Sequence, residues 1–173
     1  MEFMRSPRLG FHHWWAEDLP LACALWGLPE VMRYIDVRGG LNPEQVKVKL
    51  DLELETQRRI RVQYWPVFES SSGELVGCCG LKPWVHSARN GLELGFHFLP
   101  SKWGLGYAPE AARRVLEFAQ SDLHADAILA GHHPDNAAAK AILTRLGFVC
   151  FGSMFYAPTG LQHPAYEWKG PIS

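Results

Sequence analysis

The chain has 173 residues, 47% of them hydrophobic and 20% charged, enough for one domain (1–173) with a sizeable core and too few for two. Seventeen basic residues face eighteen acidic ones with no long basic run, which excludes an electrostatic footprint for nucleic acid, and no apolar run is long enough to span a membrane. Cys23, Cys78, Cys79 and Cys150 lack zinc-site or disulfide-framework spacing, so no metal is expected; residues 1–9 carry charges and a proline instead of a secretory leader, and a reducing cytoplasm is the expectation.

Residues 9–14 form a short strand candidate. Asp18 can cap a helix from Leu19, with Pro20 near its start and Leu21, Ala24 and Leu25 on one side. Gly27 and Pro29 interrupt it, and residues 30–35 add a further turn or two. Asn42-Pro43-Glu44-Gln45 reads as a cap, a first-turn proline and a capping-box glutamine. Beyond it Val46, Val48, Leu50, Leu52 and Leu54 alternate at period two, the mark of a strand, yet the intervening Lys, Glu, Gln and Arg residues favour a helix. The helix is predicted, with Val46, Leu50 and Leu54 on one face, Val48 and Leu52 widening it, and Arg58, Arg59 and Arg61 as its solvated end.

Residues 64–68 and 75–81 flank Glu69-Ser-Ser-Ser-Gly73 as a hairpin, and residues 92–99 add a third strand, giving an antiparallel meander. Ala108, Ala111, Ala112, Val115, Leu116 and Ala119 then recur at helical spacing. Residues 127–130 form a short strand, Asp135 or Asn136 caps a helix carrying Ala139, Ile142, Leu143 and Leu146, and Gly147 ends it. Residues 148–156 and 165–168 are late strands around Pro158-Thr-Gly160. This order describes an α/β (α+β) domain with one mixed sheet.

The chemistry is concentrated in Ser101-Lys-Trp-Gly-Leu-Gly-Tyr-Ala108. Gly104 and Gly106 permit unusual backbone angles and leave amides uncovered, and the helix that follows presents unpaired N–H groups, so the segment suits a phosphate or pyrophosphate. A dinucleotide fingerprint would need three glycines, and a Walker loop a Gly-Lys-Ser or Gly-Lys-Thr ending that Tyr107-Ala108 does not supply.

Trp103-Gly-Leu-Gly-Tyr-Ala-Pro-Glu-Ala111 resembles the acetyl-coenzyme A signature of the GNAT acetyltransferase superfamily, nearest its RimJ/RimL-type branch, which acetylates protein amino termini and includes relatives acting on small amines. The likeness covers nearly the whole chain. Ser6-Pro-Arg-Leu9 with Glu17-Asp-Leu-Pro20, Pro29-Glu-Val-Met-Arg-Tyr34, Gly91-Leu-Glu-Leu-Gly-Phe96, and His133-Pro-Asp-Asn136 with Leu146-Gly-Phe148 resemble further family blocks in the family's order. The resemblance implies the GNAT fold, a mostly antiparallel mixed sheet flanked by helices and splayed at the acyl-coenzyme A site. It implies acetyl-coenzyme A as acyl donor, held around Phe98, Leu99, Trp103, Gly104, Leu105, Gly106, Tyr107 and Ala108. Asn136 corresponds in that resemblance to an asparagine that approaches the cofactor or steadies the crossing loop, with a simple helix cap as the alternative. Two departures stand out: Ala139 replaces a serine common in the branch, and Leu143 occupies the place where many superfamily members have a proton-donating tyrosine.

The implied reaction is direct attack of a neutral amine on the thioester, which calls for a base. Glu93 interrupts an apolar strand and is the leading candidate, with a structural role on the sheet's wetter face as the alternative. His97 shares its strand parity; His132, His133 and, more weakly, His86 are further candidates. The acceptor is expected against the early helices, the Arg38-Gly-Gly40 loop and residues 156–166, with Trp84, Trp103 and Tyr156 at an entrance. A peptide amino terminus, a small-molecule amine, and a non-catalytic acyl-coenzyme A-binding role all remain open, as do monomer and homodimer.

Overall fold

In the computed structural model, which describes residues 1–85 and 90–170, the chain opens with two short antiparallel strands, β1 (Met4–Arg5) and β2 (Leu9–Phe11). β1 is too short to leave a sequence period and was not expected; β2 stops at Phe11 rather than Trp14.

Three helices follow: α1 (Leu19–Trp26), α2 (Pro29–Met32) and α3 (Pro43–Ile60). Asp18 precedes α1 without capping it; its carboxylate accepts from the Trp15 N–H at 2.9 Å and braces the turn before the helix. α3 carries the expected capping box, with the Gln45 N–H donating to Asn42 Oδ1 at 2.9 Å and the Asn42 N–H to Gln45 Oε1 at 3.0 Å. Its apolar stripe is narrower than the sequence suggested. Val46 and Leu50 are buried, whereas Val48 and Leu52 are 62% and 63% exposed. At 100° per residue those two point away from the Val46–Leu50 face, and Glu53 is buried on it instead.

The remaining strands are β3 (Tyr64–Glu69), β4 (Leu75–Pro83), β5 (Leu92–Phe98), β6 (Ile128–Gly131), β7 (Phe148–Tyr156) and β8 (Leu161–Trp168). Helix α4 (Tyr107–Ser121) lies between β5 and β6, and α5 (Ala137–Arg145) between β6 and β7. β8 starts four residues before the predicted 165, because Gln162, His163 and Pro164 conceal a strand from composition alone. The described strands form one sheet of eight in the order β1-β2-β3-β4-β5-β6-β8-β7, and every neighbouring pair is antiparallel except β5–β6.

That parallel contact is brief. It pairs Leu92 with Ile128 and Glu93 with Leu129, after which β5 runs on to Phe98 against β4 only. The strands splay, as the family resemblance implied.

Register separates the sheet's two faces. Tyr64 opposes Gly80, Gly80 opposes Gly95, Lys82 opposes Glu93 and Cys78 opposes His97, so all of these share one face. That face packs under α1–α3 through Trp14, Trp26, Val46, Leu50 and Cys78. The other presents Trp65, Cys79, Leu81, Leu94 and Phe98 to the small residues of α4, Ala111, Ala112, Val115 and Ala119. Burial pushes both adjacent thiols, Cys78 and Cys79, up, and they behave as small apolar side chains.

Gly80 and Gly95 make room for Tyr64. A Cβ on Gly95 would lie 2.3 Å from the Tyr64 ring, and one on Gly80 only 1.9 Å from the Gln63 carbonyl oxygen. Because backbone rather than a flexible side chain obstructs it, Gly80→Ala is expected to lower stability by about 3 kcal/mol. A urea midpoint equal to that of the parent chain would refute this account.

Candidate active site

The glycine segment leaves β5 through a 3-10 turn at Pro100–Lys102 and enters α4 at Tyr107. Gly104 and Gly106 have φ of +75° and +78°, angles a side-chain-bearing residue adopts only with strain. Pro109 has no N–H, and that of Glu110 donates to Gly106 O at 3.3 Å, which leaves the Tyr107 and Ala108 amides at the open helix end. Trp103, partly exposed, turns its indole N–H back onto Phe98 O at 2.8 Å.

Residues far away in sequence hold this loop. The Arg8 guanidinium donates to Leu105 O at 2.9 Å and to Glu110 at 2.7 Å, and lies 4.6 Å from the Tyr107 ring centroid. Glu110 also accepts from Ser6 Oγ at 2.6 Å and the Arg8 N–H at 2.9 Å. Burial alone would raise the Glu110 pKa; these hydrogen bonds outweigh it and hold it low. On the other side Tyr107 donates to Glu69, and Lys102 pairs with Glu69 at 3.5 Å and Glu74 at 3.0 Å. Sequence reading missed all of these partners, since nothing local to Glu110 points about a hundred residues upstream.

A cavity of about 620 Å³ runs from this loop along the β5–β6 gap to α2. Its wall includes Phe98, Trp103, Gly104, Gly106, Tyr107, Ala108 and Asn136 from the expected cofactor set. Two members of that set lie outside it. Leu99 packs into the core beneath α1–α3, and Leu105 projects outward, half exposed, because Arg8 grips its carbonyl from behind. Asn136 lines the cavity and caps α5, its side-chain oxygen accepting from the Ala139 N–H at 3.0 Å. Leu143 is buried in the core and also borders the cavity.

Glu93 and His97 both line the same cavity. Glu93 is 6% exposed, with Lys82 Nζ 3.6 Å away across the β4–β5 register. Burial works against the Lys82 charge, but Glu93 chiefly, with Tyr156 and Glu53, overrides it and raises the Lys82 pKa. Tyr156, expected at an entrance, lines the cavity; Lys82 and Tyr64 join it through strand pairing, and Lys82 lies 5.4 Å from the Tyr64 ring centroid and 6.0 Å from that of Tyr156. His97 Nδ1 accepts from the Trp26 indole N–H at 3.1 Å, with Cys78 Sγ 3.7 Å away. An indole N–H can only donate, so in the neutral ring the proton sits on Nε2. His97 therefore offers the cavity a donor, not a base.

The other expected groups divide. His132 is buried with both ring nitrogens engaged, Nδ1 on His133 O at 2.7 Å and Nε2 on the Tyr166 hydroxyl at 3.0 Å, a structural role. His133 Nδ1 accepts from the Asp135 N–H at 3.1 Å while its ring lies 5.0 Å from Tyr34 along the cavity wall. Trp84 does not line the cavity; it packs with Leu129, Met154 and Ala165. Arg38 closes on Asp36 at 2.6 Å beside a shallower hollow, also away from the main cavity. His86 lies outside the described residues. Among the described residues no cluster of three or more His, Cys, Asp or Glu is arranged to hold a metal, and no helix is long and apolar enough to cross a membrane.

Comparison with known proteins matches residues 8–149 to the family model described as Acetyltransferase (GNAT) domain. "Uncharacterized N-acetyltransferase p20" of Bacillus licheniformis is 25% identical over 152 residues, covering 86% of this chain and 83% of the relative. Among solved structures, an acetyltransferase (GNAT family) from Bacillus anthracis superposes with a TM-score of 0.77 at 20% identity, over 95% of this chain and 96% of that one. Mycobacterium smegmatis RimJ in complex with CoA-disulfide superposes at 0.73 with 16% identity, over 92% and 80% of the two chains.

The His97 tautomer can be measured independently of those likenesses. Burial, reinforced by Lys49 and Lys82, holds its pKa well below 6.5. The unfolded chain takes up this proton and the folded chain does not, so the associated stability is whole above pH 6.5 and declines as pH falls below it. Nitrogen-15 spectra of the imidazole at pH 6 are expected to show a neutral Nε2–H ring, and Trp26→Phe to mix the tautomers. An imidazolium signal at that pH would overturn the assignment.

Proposed function

This chain belongs to the GNAT acetyltransferase family, and on that premise we propose that it transfers the acetyl group of acetyl-coenzyme A to a primary amine by direct attack within a single cytoplasmic domain. The observation that carries the reading is the β5–β6 divergence, with the glycine seat at its far end and Glu93 at its vertex.

Leu92 N donates to Ala127 O at 3.0 Å, so by strand alternation the backbone groups of Leu94, Phe96 and Phe98 face the same side, where β6 has turned away. The pantetheine arm carries amides that suit that edge as an added strand would. Phe98 O is already taken by Trp103, which leaves Leu94 and Phe96 to meet the arm. The pyrophosphate belongs on the amides from Gly104 to Ala108, where Gly104 and Gly106 bring no Cβ into its path.

The amine nitrogen then attacks the thioester carbon, the new C–N bond forms, and the C–S bond breaks with its electrons going to sulfur. Glu93 takes the proton the amine loses, directly or through water. With Leu143 apolar, the thiolate draws its proton from water or a neighbouring hydroxyl. Lys82 stays cationic at this point and opposes a second positive charge nearby, which favours the neutral, attacking form of the amine. An α-amine, titrating near 8, meets that requirement more easily than a lysine side chain near 10.4.

Two variants separate chemistry from binding. Glu93→Gln is expected to lower transfer by about 10²- to 10⁴-fold with coenzyme A affinity retained. Equal rates across the pH profile would remove Glu93 from the mechanism. Gly106→Val, β-branched at a positive φ, is expected to weaken calorimetric coenzyme A binding by about tenfold or more, equivalent to ~1.4 kcal/mol, and unchanged affinity would displace the pyrophosphate from this loop.

A further inference from the structure

We infer that the amine acceptor carries a carboxylate, received by the Lys49 ammonium and the His97 Nε2–H, two cavity-lining groups that both contact a single tryptophan, Trp26. The inference rests on reading this cavity as the acetyl-transfer site, and it specifies what enters opposite the thioester.

Trp26 is fully buried between α1 and the sheet. Its indole N–H fixes His97 Nδ1 at 3.1 Å, and Lys49 Nζ lies over its ring, 4.7 Å from the centroid. Two cavity-lining groups with only N–H protons to offer are thereby held on one rigid platform. Three carboxylates of the surrounding elements are otherwise engaged. Glu53, one turn along α3, accepts from the Tyr64 N–H at 2.7 Å; Asp36 is gripped twice by Arg38; Glu93 faces Lys82 at 3.6 Å. Among the described residues no carboxylate reaches ion-pair distance of Lys49, and its recorded partner is the Trp26 ring. Glu30 and Arg33, both exposed, line the same cavity, and Arg33 lies over the Tyr34 ring. A half-buried ammonium and an imidazole N–H lining one cavity are a donor set that a carboxylate satisfies, through one charge-assisted and one neutral hydrogen bond. A cationic head group would meet repulsion there instead. The chemical class is a small amino acid-like compound, its amine a few bonds from a carboxylate, and not an internal peptide whose neighbouring carbonyl is an amide.

The test uses products, so it does not depend on turnover. A panel of N-acetyl amino acids and their matching carboxamides is titrated into the protein saturated with coenzyme A, by calorimetry and by the His97 ring nitrogen shifts. The carboxylates are expected to bind at least tenfold more tightly and to move the Nε2 resonance. Lys49→Met should erase that preference while leaving carboxamide affinity alone, and Lys49→Arg should retain it. Equal affinities in the parent chain, a preference that survives Lys49→Met, or no binding of any carboxylate at tens of millimolar would each overturn the inference. If the carboxylate preference holds but no matching amino acid is acetylated, the acetyl-transfer reading falls and the carboxylate seat stands.

Discussion

Two residue pairs hold the two parts of the sheet together at its centre, Leu92 with Ile128 and Glu93 with Leu129, and the rest of the molecule is arranged around the brevity of that contact. A parallel pair extended by three more residues would satisfy the backbone of β5 and close the cavity. β6 has only four residues, and Met154 sits where a side chain on its last residue, Gly131, would go. The β5 backbone therefore remains open on one side, a state that buried polar groups tolerate only when water or a ligand completes them.

The two faces of the sheet answer this opening differently. On the α4 side, alanines let the helix lie close and the core continues across the divergence from Leu94 to Ile128. On the α1–α3 side, apolar cover stops short: Lys82 and Glu93 face each other on one rung, and His97 lies on the same face beyond the Gly80–Gly95 rung. Their polarity is sustained by partners rather than by solvent: Lys82 and Glu93 by each other, His97 by Trp26. Burial raises the strength of each such contact and the cost of losing it. That is why a tryptophan outside the cavity lining governs the protonation of a ring within it.

How much of this was legible in the sequence depended on the range of the interaction. The capping box at Asn42 and Gln45, the paired glycines before α4 and the alanine stripe behind it are local patterns, and each appeared where the sequence put it. Period alone misled in α3, where Val48 and Leu52 alternate with charges yet face solvent. β1 is too short and the start of β8 too polar to leave a pattern. Within the cavity, Glu93 was found because a carboxylate interrupts an apolar run, but its partner Lys82 required the strand register. His97 was found for its parity, but its tautomer was not legible, because the indole that fixes it lies 71 residues away. The same distance problem hid the Arg8–Glu110 clamp. It also left Lys49 looking like one more charge on a solvated helix.

The Arg8–Glu110 clamp has a consequence for the order in which the molecule is completed. The partners are 102 residues apart, and both are needed to fix the carbonyl of Leu105 behind the glycine loop. During synthesis the amino-terminal strands must wait for more than half the chain before the loop they brace exists. Loop closure over that span is entropically slow to reward, so the seat belongs to the late stages of folding. A ligand that occupies it draws on native contacts from both ends of this span and stabilises them together. Occupancy of this loop is in that sense a report on the integrity of the chain from Arg8 to Glu110.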